Sequence, residues 1–105
     1  MKIKTSPEAT TALRNITAFC RQQWGIKTAH EIIENYQKNK KRLSSNPYMA
    51  QAEPLLTNRE YAYRGLVIHK YCKVIYRIDK NTDTIYIVDV WDTRREPTRL
   101  TDNIQ

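Results

Sequence analysis

The chain has 105 residues, 40% of them hydrophobic and 28% charged, which is enough for a single domain over residues 1–105 and too few for two. Eighteen Lys and Arg against eleven Asp and Glu give a net charge of +7, which favours RNA, DNA, the ribosome or an acidic protein segment as partner. The N-terminus has no apolar signal-peptide core and no apolar run of membrane-spanning length exists, so we expect a cytoplasmic protein with no membrane partner.

The two cysteines lie in separate apolar-periodic segments and do not form a CxxC pair. Cys20 and Cys72 are therefore expected to be small buried hydrophobes in a reducing compartment. We expect no metal ion and no small-molecule cofactor.

The first helix is predicted to begin at Ser6-Pro7-Glu8, after a short strand around Ile3. Serine can accept from the free backbone N–H groups, proline suits the first helical position, and the acid favours the positive end of the dipole. Gly25 is predicted to end the helix. Between them, apolar residues at spacings of three and four define one face: Ala9, Ala12, Leu13, Ile16, Phe19, Cys20 and Trp24.

A second helix is predicted to begin at Thr28, because Thr28 and Glu31 form a capping box. It ends at Ser44–Pro47. A linker of two or three residues makes the two helices an antiparallel hairpin. The apolar positions of the second helix are Ala29, Ile32, Ile33, Tyr36 and Leu43.

The second half of the chain is predicted to be a β-meander. Residues 48–60 have little periodicity and are predicted to be a loop, whereas the residues that follow are dense in β-branched and aromatic side chains. Strands are predicted over 61–68, 71–78 and 84–91. The fold class is therefore α+β, an N-terminal helix hairpin packed on a small antiparallel sheet.

The middle strand alternates an apolar set of residues with a basic set. Its basic residues, Lys73 and Arg77, are predicted to lie on the sheet face away from the helices. Arg64 lies on the neighbouring strand, and Arg94 and Arg95 follow the last strand, which predicts a basic cluster on an open sheet face. The apolar set, expected to face the helices, comprises Cys72, Val74, Tyr76 and Ile78.

Two further groups of residues have alternative interpretations. The run Lys38, Lys40, Lys41 and Arg42 is either the polar C-terminal part of a helix, where cations favour the dipole, or a contact for RNA or the ribosome. Trp24 and Trp91 are core or partner-interface aromatics. Trp91, at the end of a strand, is the better interface candidate.

Three stretches in order carry a family resemblance: "SPEA" opening the first helix, then "YRGLVIHKYCKVIYRID" and "IYIVDVWDTRREP". From Ser6 to about Leu100 the sequence resembles RelE/ParE toxins of bacterial type II toxin–antitoxin systems, which include plasmid stabilisation proteins. The resemblance implies a growth-inhibiting toxin of RelE/ParE-like fold. It also implies a cognate antitoxin whose disordered segment wraps the groove and the sheet of the toxin.

Within this family, RelE-like members are ribosome-dependent endoribonucleases that cut mRNA. Attack of the ribose 2′-hydroxyl on the adjacent phosphate needs nearby cations, a base for the 2′ proton and an acid for the leaving oxygen. The resemblance matches Lys73 to a family arginine and Arg94 or Arg95 to the basic residue after the last strand. It also places Arg64 near a lysine-bearing strand.

The acid and base of the nuclease branch are missing from the sequence. That branch usually has a tyrosine or histidine near the C-terminus, where this chain has Leu100 and no tyrosine after Tyr86. His30 is expected to be an exposed helix residue, and His69 a turn residue. This departure favours the ParE-like branch, which acts on DNA gyrase. The mRNA interferase and an inactive relative that binds an antitoxin stay open as alternatives.

Overall fold

The computed structural model describes residues 1–95, 97–102 and 104. In chain order its elements are β1 (Lys2–Thr5), α1 (Pro7–Trp24), α2 (Ile26–Ser45), β2 (Gln51–Ala52), a 3-10 helix (Pro54–Leu56), β3 (Tyr63–His69), β4 (Cys72–Asp79), β5 (Thr84–Asp92) and α3 (Pro97–Thr101). The strands form one sheet in the order β1-β5-β4-β3-β2, in which β1 is parallel to β5 and the other pairs are antiparallel. The predicted α+β class and the short N-terminal strand are confirmed.

Helix α1 begins where the sequence predicts. The backbone N–H of Ala9 donates to the Ser6 side-chain oxygen at 3.0 Å, and the Ser6 hydroxyl donates to the carbonyl of Val88 at 2.9 Å. Ser6 therefore caps the helix and ties its first turn to β5. None of the described helices is both long and apolar enough to cross a membrane.

The start predicted for the second helix is wrong. Helix α2 begins at Ile26 without a side-chain cap, so Thr28 lies inside it, and the linker is the single residue Gly25 instead of two or three. Gly25 has φ 92°, a backbone conformation that residues with a side chain rarely adopt. This one residue suffices to reverse the chain. The predicted end is confirmed, because the N–H of Asn46 donates to the carbonyls of Arg42 and Leu43.

The main core lies between the helix hairpin and one sheet face, as predicted from the alternation in β4. Three residues of the predicted helix stripes are exposed instead: Phe19, Trp24 and Ile33. Phe19 and Trp24 lie in the part of α1 that leads to the Gly25 turn, and Ile33 lies in the first half of α2. The buried core residues include Ala9, Ile16, Cys20, Ile32, Tyr36, Leu43, Ile68, Cys72, Val74, Tyr76, Ile85, Ile87 and Val90.

A second core covers part of the opposite sheet face, which the sequence predicted to be open. The segment predicted as a structureless loop contains β2 and the 3-10 helix, and with the C-terminal segment it packs over β4 and β5. The buried residues of this second core are Leu56, Tyr63, Ile75, Trp91 and Ile104. Among the residues that the structure describes, this face remains accessible near Arg77 and at Val67, which is opposite Lys73 in the ladder and 63% exposed.

Candidate functional site

Lys73 lies on the second sheet face, as predicted, but its charge is neutralised there. Its Nζ is 2.6 Å from Oε1 of Glu53, whose side chain is only 1% exposed, and 5.8 Å from the centre of the Trp91 ring. Gly65 makes room for this pair, since a Cβ at that position would lie 2.7 Å from the Glu53 oxygen. The structure therefore shows a buried ion pair where the sequence predicted a free cation.

Sequence reasoning missed Glu53 because it lies in a segment without periodicity, twenty residues before Lys73. Its second oxygen accepts from the backbone N–H of Leu55 at 3.4 Å, which anchors the 3-10 helix. A carboxylate beside a cation is a possible acid or base. This one is buried and engaged by Lys73, so it cannot reach a substrate without breaking the pair.

Arg77 occupies an accessible part of the second sheet face, the face on which Lys73 lies. Its guanidinium lies 4.2 Å from the Tyr61 ring centre and 4.4 Å from that of Tyr86. Within the described residues no carboxylate lies within ion-pair distance of it. Arg77 shares a sheet face with Lys73, as predicted, but the buried Ile75 stands between them in the strand.

Arg64 does not join these residues. It is directly opposite Tyr76 across the β3–β4 ladder, and Tyr76 belongs to the core on the helix side. Its Nη1 donates to the carbonyl of Ala50, and its guanidinium lies 4.9 Å from the exposed Tyr48 ring. The register places Arg64 on the opposite face from Lys73, which corrects the predicted cluster.

Arg94 lies toward the helices. It donates from Nε and from its backbone N–H to Oδ1 of Asp92 at 2.9 and 3.0 Å. Burial alone would raise the pKa of Asp92, but the hydrogen bonds and charge of Arg94 outweigh it and lower that pKa. Arg94 is therefore paired with Asp92 and packs toward the helices, which corrects its predicted place in the cluster with Lys73 and Arg77.

The guanidinium of Arg94 also lies over three aromatic rings. We call this group the aromatic–arginine cluster: Phe19, Trp24, Tyr71 and Arg94. Trp24 stacks on Tyr71 with ring centres 4.5 Å apart and an interplanar angle of 6°. Phe19 meets Trp24 edge-on at 6.0 Å, and Arg94 lies 4.2 Å from the Phe19 ring centre. The residues come from α1, the β3–β4 turn and the chain after β5, so only the tertiary fold brings them together.

Arg95 lines a different place, a cavity of about 450 Å³ between α1, the end of β5 and α3. Here β5 has a free edge, because β1 pairs with it only as far as Ile87. Asp89 lies in the cavity wall, where its carboxylate accepts from the backbone N–H of Val90 at 2.8 Å and from Nε1 of Trp91 at 3.1 Å. Burial raises the pKa of Asp89 despite these hydrogen bonds. No described contact joins Arg95 to Lys73 or Arg77.

The remaining candidates are dispersed. In α2, Lys38, Lys41 and Arg42 are exposed, and the Lys40 Nζ lies 5.3 Å from the Tyr36 ring centre, toward the end of the helix remote from the Gly25 turn. Trp91, the favoured interface tryptophan, is only 2% exposed and is a core residue, whereas Trp24 is 45% exposed. The exposure of the two tryptophan side chains is thus the reverse of what the sequence predicts for an interface residue at Trp91.

The histidines and cysteines add no reactive centre. His30 is exposed on α2, as predicted, and Nε2 of His69, the last residue of β3, is 3.6 Å from a Glu31 oxygen. Cys20 and Cys72 are free and buried, also as predicted, and burial raises the pKa of Cys72 to about 12. Among the described residues, no group of three or more His, Cys, Asp or Glu side chains is arranged to hold a metal ion.

A helix hairpin on one face of a mixed sheet, with a basic surface, is the arrangement implied by the resemblance to RelE/ParE toxins. The family model of the ParE toxin of the type II toxin–antitoxin system parDE matches residues 3–97. The chain therefore belongs to the ParE toxin family.

One solved structure with this fold is described as the chromosomal ParDE toxin–antitoxin system from P. aeruginosa. It is 16% identical, with a TM-score of 0.68, and the alignment covers 88% of this chain and 95% of that one. At this identity the likeness concerns the fold alone. No curated protein matches the sequence.

Proposed function

We propose that this ParE-family protein is a growth-inhibiting toxin that acts by binding a protein, DNA gyrase, and does not cleave RNA. The observation that carries the proposal is the separation of the basic residues that a nuclease would need. Lys73 is held by Glu53 on one sheet face, and Arg94 is held by Asp92 on the side of the helices.

Cleavage of RNA requires cations that converge on one phosphate, together with a positioned acid and base. Here the two cations best matched to nuclease residues already have carboxylate partners, and they do not face one site. A cation engaged by a buried carboxylate gives a phosphorane little stabilisation, because its charge is already compensated. The same surfaces are suited to binding, since arginine and exposed aromatic side chains dominate protein interfaces.

We further propose that a cognate antitoxin neutralises the toxin. The net charge of +7 favours an acidic segment that folds on binding, as expected for a partner that is disordered when free. Such a segment would cover apolar and basic surface together.

Induced expression in bacteria tests the proposal when mRNA cleavage and gyrase-linked DNA breaks are measured in the same cultures. We expect growth to stop, DNA breaks to accumulate and the 5′ ends of mRNA to stay unchanged, and co-expression of the antitoxin to restore growth. Ribosome-dependent mRNA cleavage without DNA breaks would instead support the interferase alternative. Normal growth at verified soluble expression would support an inactive relative.

A further inference from the structure

We infer that the aromatic–arginine cluster is the surface by which the toxin docks on its protein target, and that the target presents an acidic patch around an apolar anchor. The inference rests on the proposed function and names the surface that would perform it.

The cluster is exposed and yet well ordered by its own contacts. Phe19 is 41% and Trp24 45% exposed, and the neighbouring Ile26 is 54% exposed. The stacked Trp24 and Tyr71 rings, and the hydrogen bonds that fix Arg94 on Asp92, hold the side chains in one arrangement before any partner arrives. Ordered side chains lose little entropy on binding, so their contact energy is retained as affinity.

The composition of the cluster matches the residues that dominate binding energy in protein interfaces. Tryptophan, tyrosine and arginine are enriched at such positions, especially where they form a contiguous group. Elsewhere among the described residues, Tyr48 lies beside two cations, Arg64 and Lys80, and Tyr61 meets Tyr63 edge-on at 6.3 Å beside Arg77. The parallel stacking of Trp24 on Tyr71 distinguishes the cluster from these groups.

The charges around the cluster specify an acidic partner. The Lys70 Nζ lies 5.1 Å from the Tyr71 ring centre, and the exposed Arg21 stands three residues before Trp24 on α1, where side chains share a face. Of the nearby acids, Asp92 is paired with the charge of Arg94, whereas Glu31 lies 3.6 Å from Nε2 of His69, a side chain that carries charge only when it is protonated. Arg21 and Lys70 together still outnumber Glu31. A positive rim of this kind attracts an acidic surface and repels a second copy of the same chain.

The geometry favours a protein over a single-stranded nucleic acid. Nucleic acid would need an open ring face for base stacking and a free cation for phosphate. One face of Trp24 is covered by Tyr71, and Arg94 at the centre directs donors to Asp92, which leaves the cations for a phosphate at the rim, in Arg21 and Lys70. What remains exposed is the apolar edge of the cluster, which suits an aliphatic or aromatic anchor.

The test measures breakage of supercoiled plasmid by purified gyrase in the presence of wild-type toxin, Trp24→Ala or Arg21→Glu. Tyr61→Ala is the matched control, since Tyr61 is also 45% exposed but lies apart from the cluster. We expect Trp24→Ala to reduce breakage at least about tenfold, as for a central interface residue. Arg21→Glu should reduce it as well, and Tyr61→Ala should not.

Thermal unfolding establishes that each variant is folded. If Trp24→Ala does not fold, Arg21→Glu, on the exposed side of α1, tests the inference in its place. Wild-type breakage by a folded Trp24→Ala protein would overturn the inference. So would loss of binding to a fluorescent single-stranded oligonucleotide in that variant, since it assigns the cluster to a nucleic acid. If wild-type toxin itself leaves the plasmid intact, the proposed function fails first.

Discussion

The Glu53 side chain is 1% exposed, so its carboxylate needs a partner inside the protein. Lys73 is the cation that pairs with it. Removing one partner of a buried ion pair is costly, whereas removing both is often nearly neutral. We expect Glu53→Gln and Lys73→Met each to lower the free energy of unfolding by about 3 kcal/mol. The double variant should lose less than the sum, which urea unfolding measures.

The same double variant separates structure from catalysis. If Lys73 serves only to hold the 3-10 helix against the sheet, a folded Glu53→Gln/Lys73→Met protein should remain toxic at equal expression. Loss of toxicity in that folded protein would show that Lys73 acts on a substrate. If the losses of unfolding free energy in the two single variants add up to the loss in the double variant, the two side chains do not depend on each other.

Asp89 predicts a dependence of stability on pH. Its pKa in the folded protein is raised above 3.8, chiefly by burial, so the folded state binds the proton more tightly than the unfolded state does. The contribution of Asp89 to stability is then fully present below its unfolded pKa and is lost as the pH rises through the folded pKa. Relative to Asp89→Asn, the wild type should gain stability as the pH falls toward 3.8 from above.

Unfolding by urea at several pH values measures this difference. Asp83→Asn is a suitable control, because Asp83 is exposed in the β4–β5 turn with φ 53°, a conformation that asparagine also tolerates. Parallel pH profiles for the wild type and Asp89→Asn would contradict the raised pKa. A shift of the profile in Asp83→Asn would point to a general charge effect.

At the scale of elements, the helix hairpin depends on one residue. Gly25 has φ 92°, and a Cβ there would meet no atom within 4 Å, so any cost of a side chain is conformational and not steric. Gly25→Ala should lower the free energy of unfolding by about 1–3 kcal/mol. Gln22→Ala, at an exposed position of α1, should not. Equal stability of the two variants would mean that the turn relaxes to another conformation.

The elements could be predicted where their determinants are local. The Ser6 cap, the alternation along β4 and the turn before β5 all depend on neighbours in sequence, and each was predicted to within one or two residues. The start of α2 was not, because Gly25 can reverse the chain alone and leaves the Thr28–Glu31 pair inside the helix.

The candidate site was predicted less well, because its arrangement depends on distant segments. Trp91 is buried in a second core with Leu56 of the 3-10 helix and with Ile104, which are both distant in sequence. The aromatic–arginine cluster joins three separate segments of the chain. The pairing of Lys73 with Glu53 has no local signal at all.

For the whole molecule, the net charge of +7 is not gathered into one centre. Arg64 lies on the helix side of the sheet, Arg77 on the second face and Arg94 at the hairpin turn, while the run from Lys38 to Arg42 lies toward the other end of α2. Distributed charge of this kind steers the approach of an acidic partner, whereas a phosphate-cleaving centre needs convergent charge. This distribution supports the proposal that the toxin binds a protein and does not cut RNA.

We propose that the toxin binds gyrase and does not cut RNA. One purified preparation should be added in parallel to gyrase with supercoiled plasmid and to translating ribosomes with a defined mRNA, and both nucleic acids examined for breaks. We expect broken plasmid and intact mRNA. Cleaved mRNA on the ribosome together with intact plasmid would contradict the proposal.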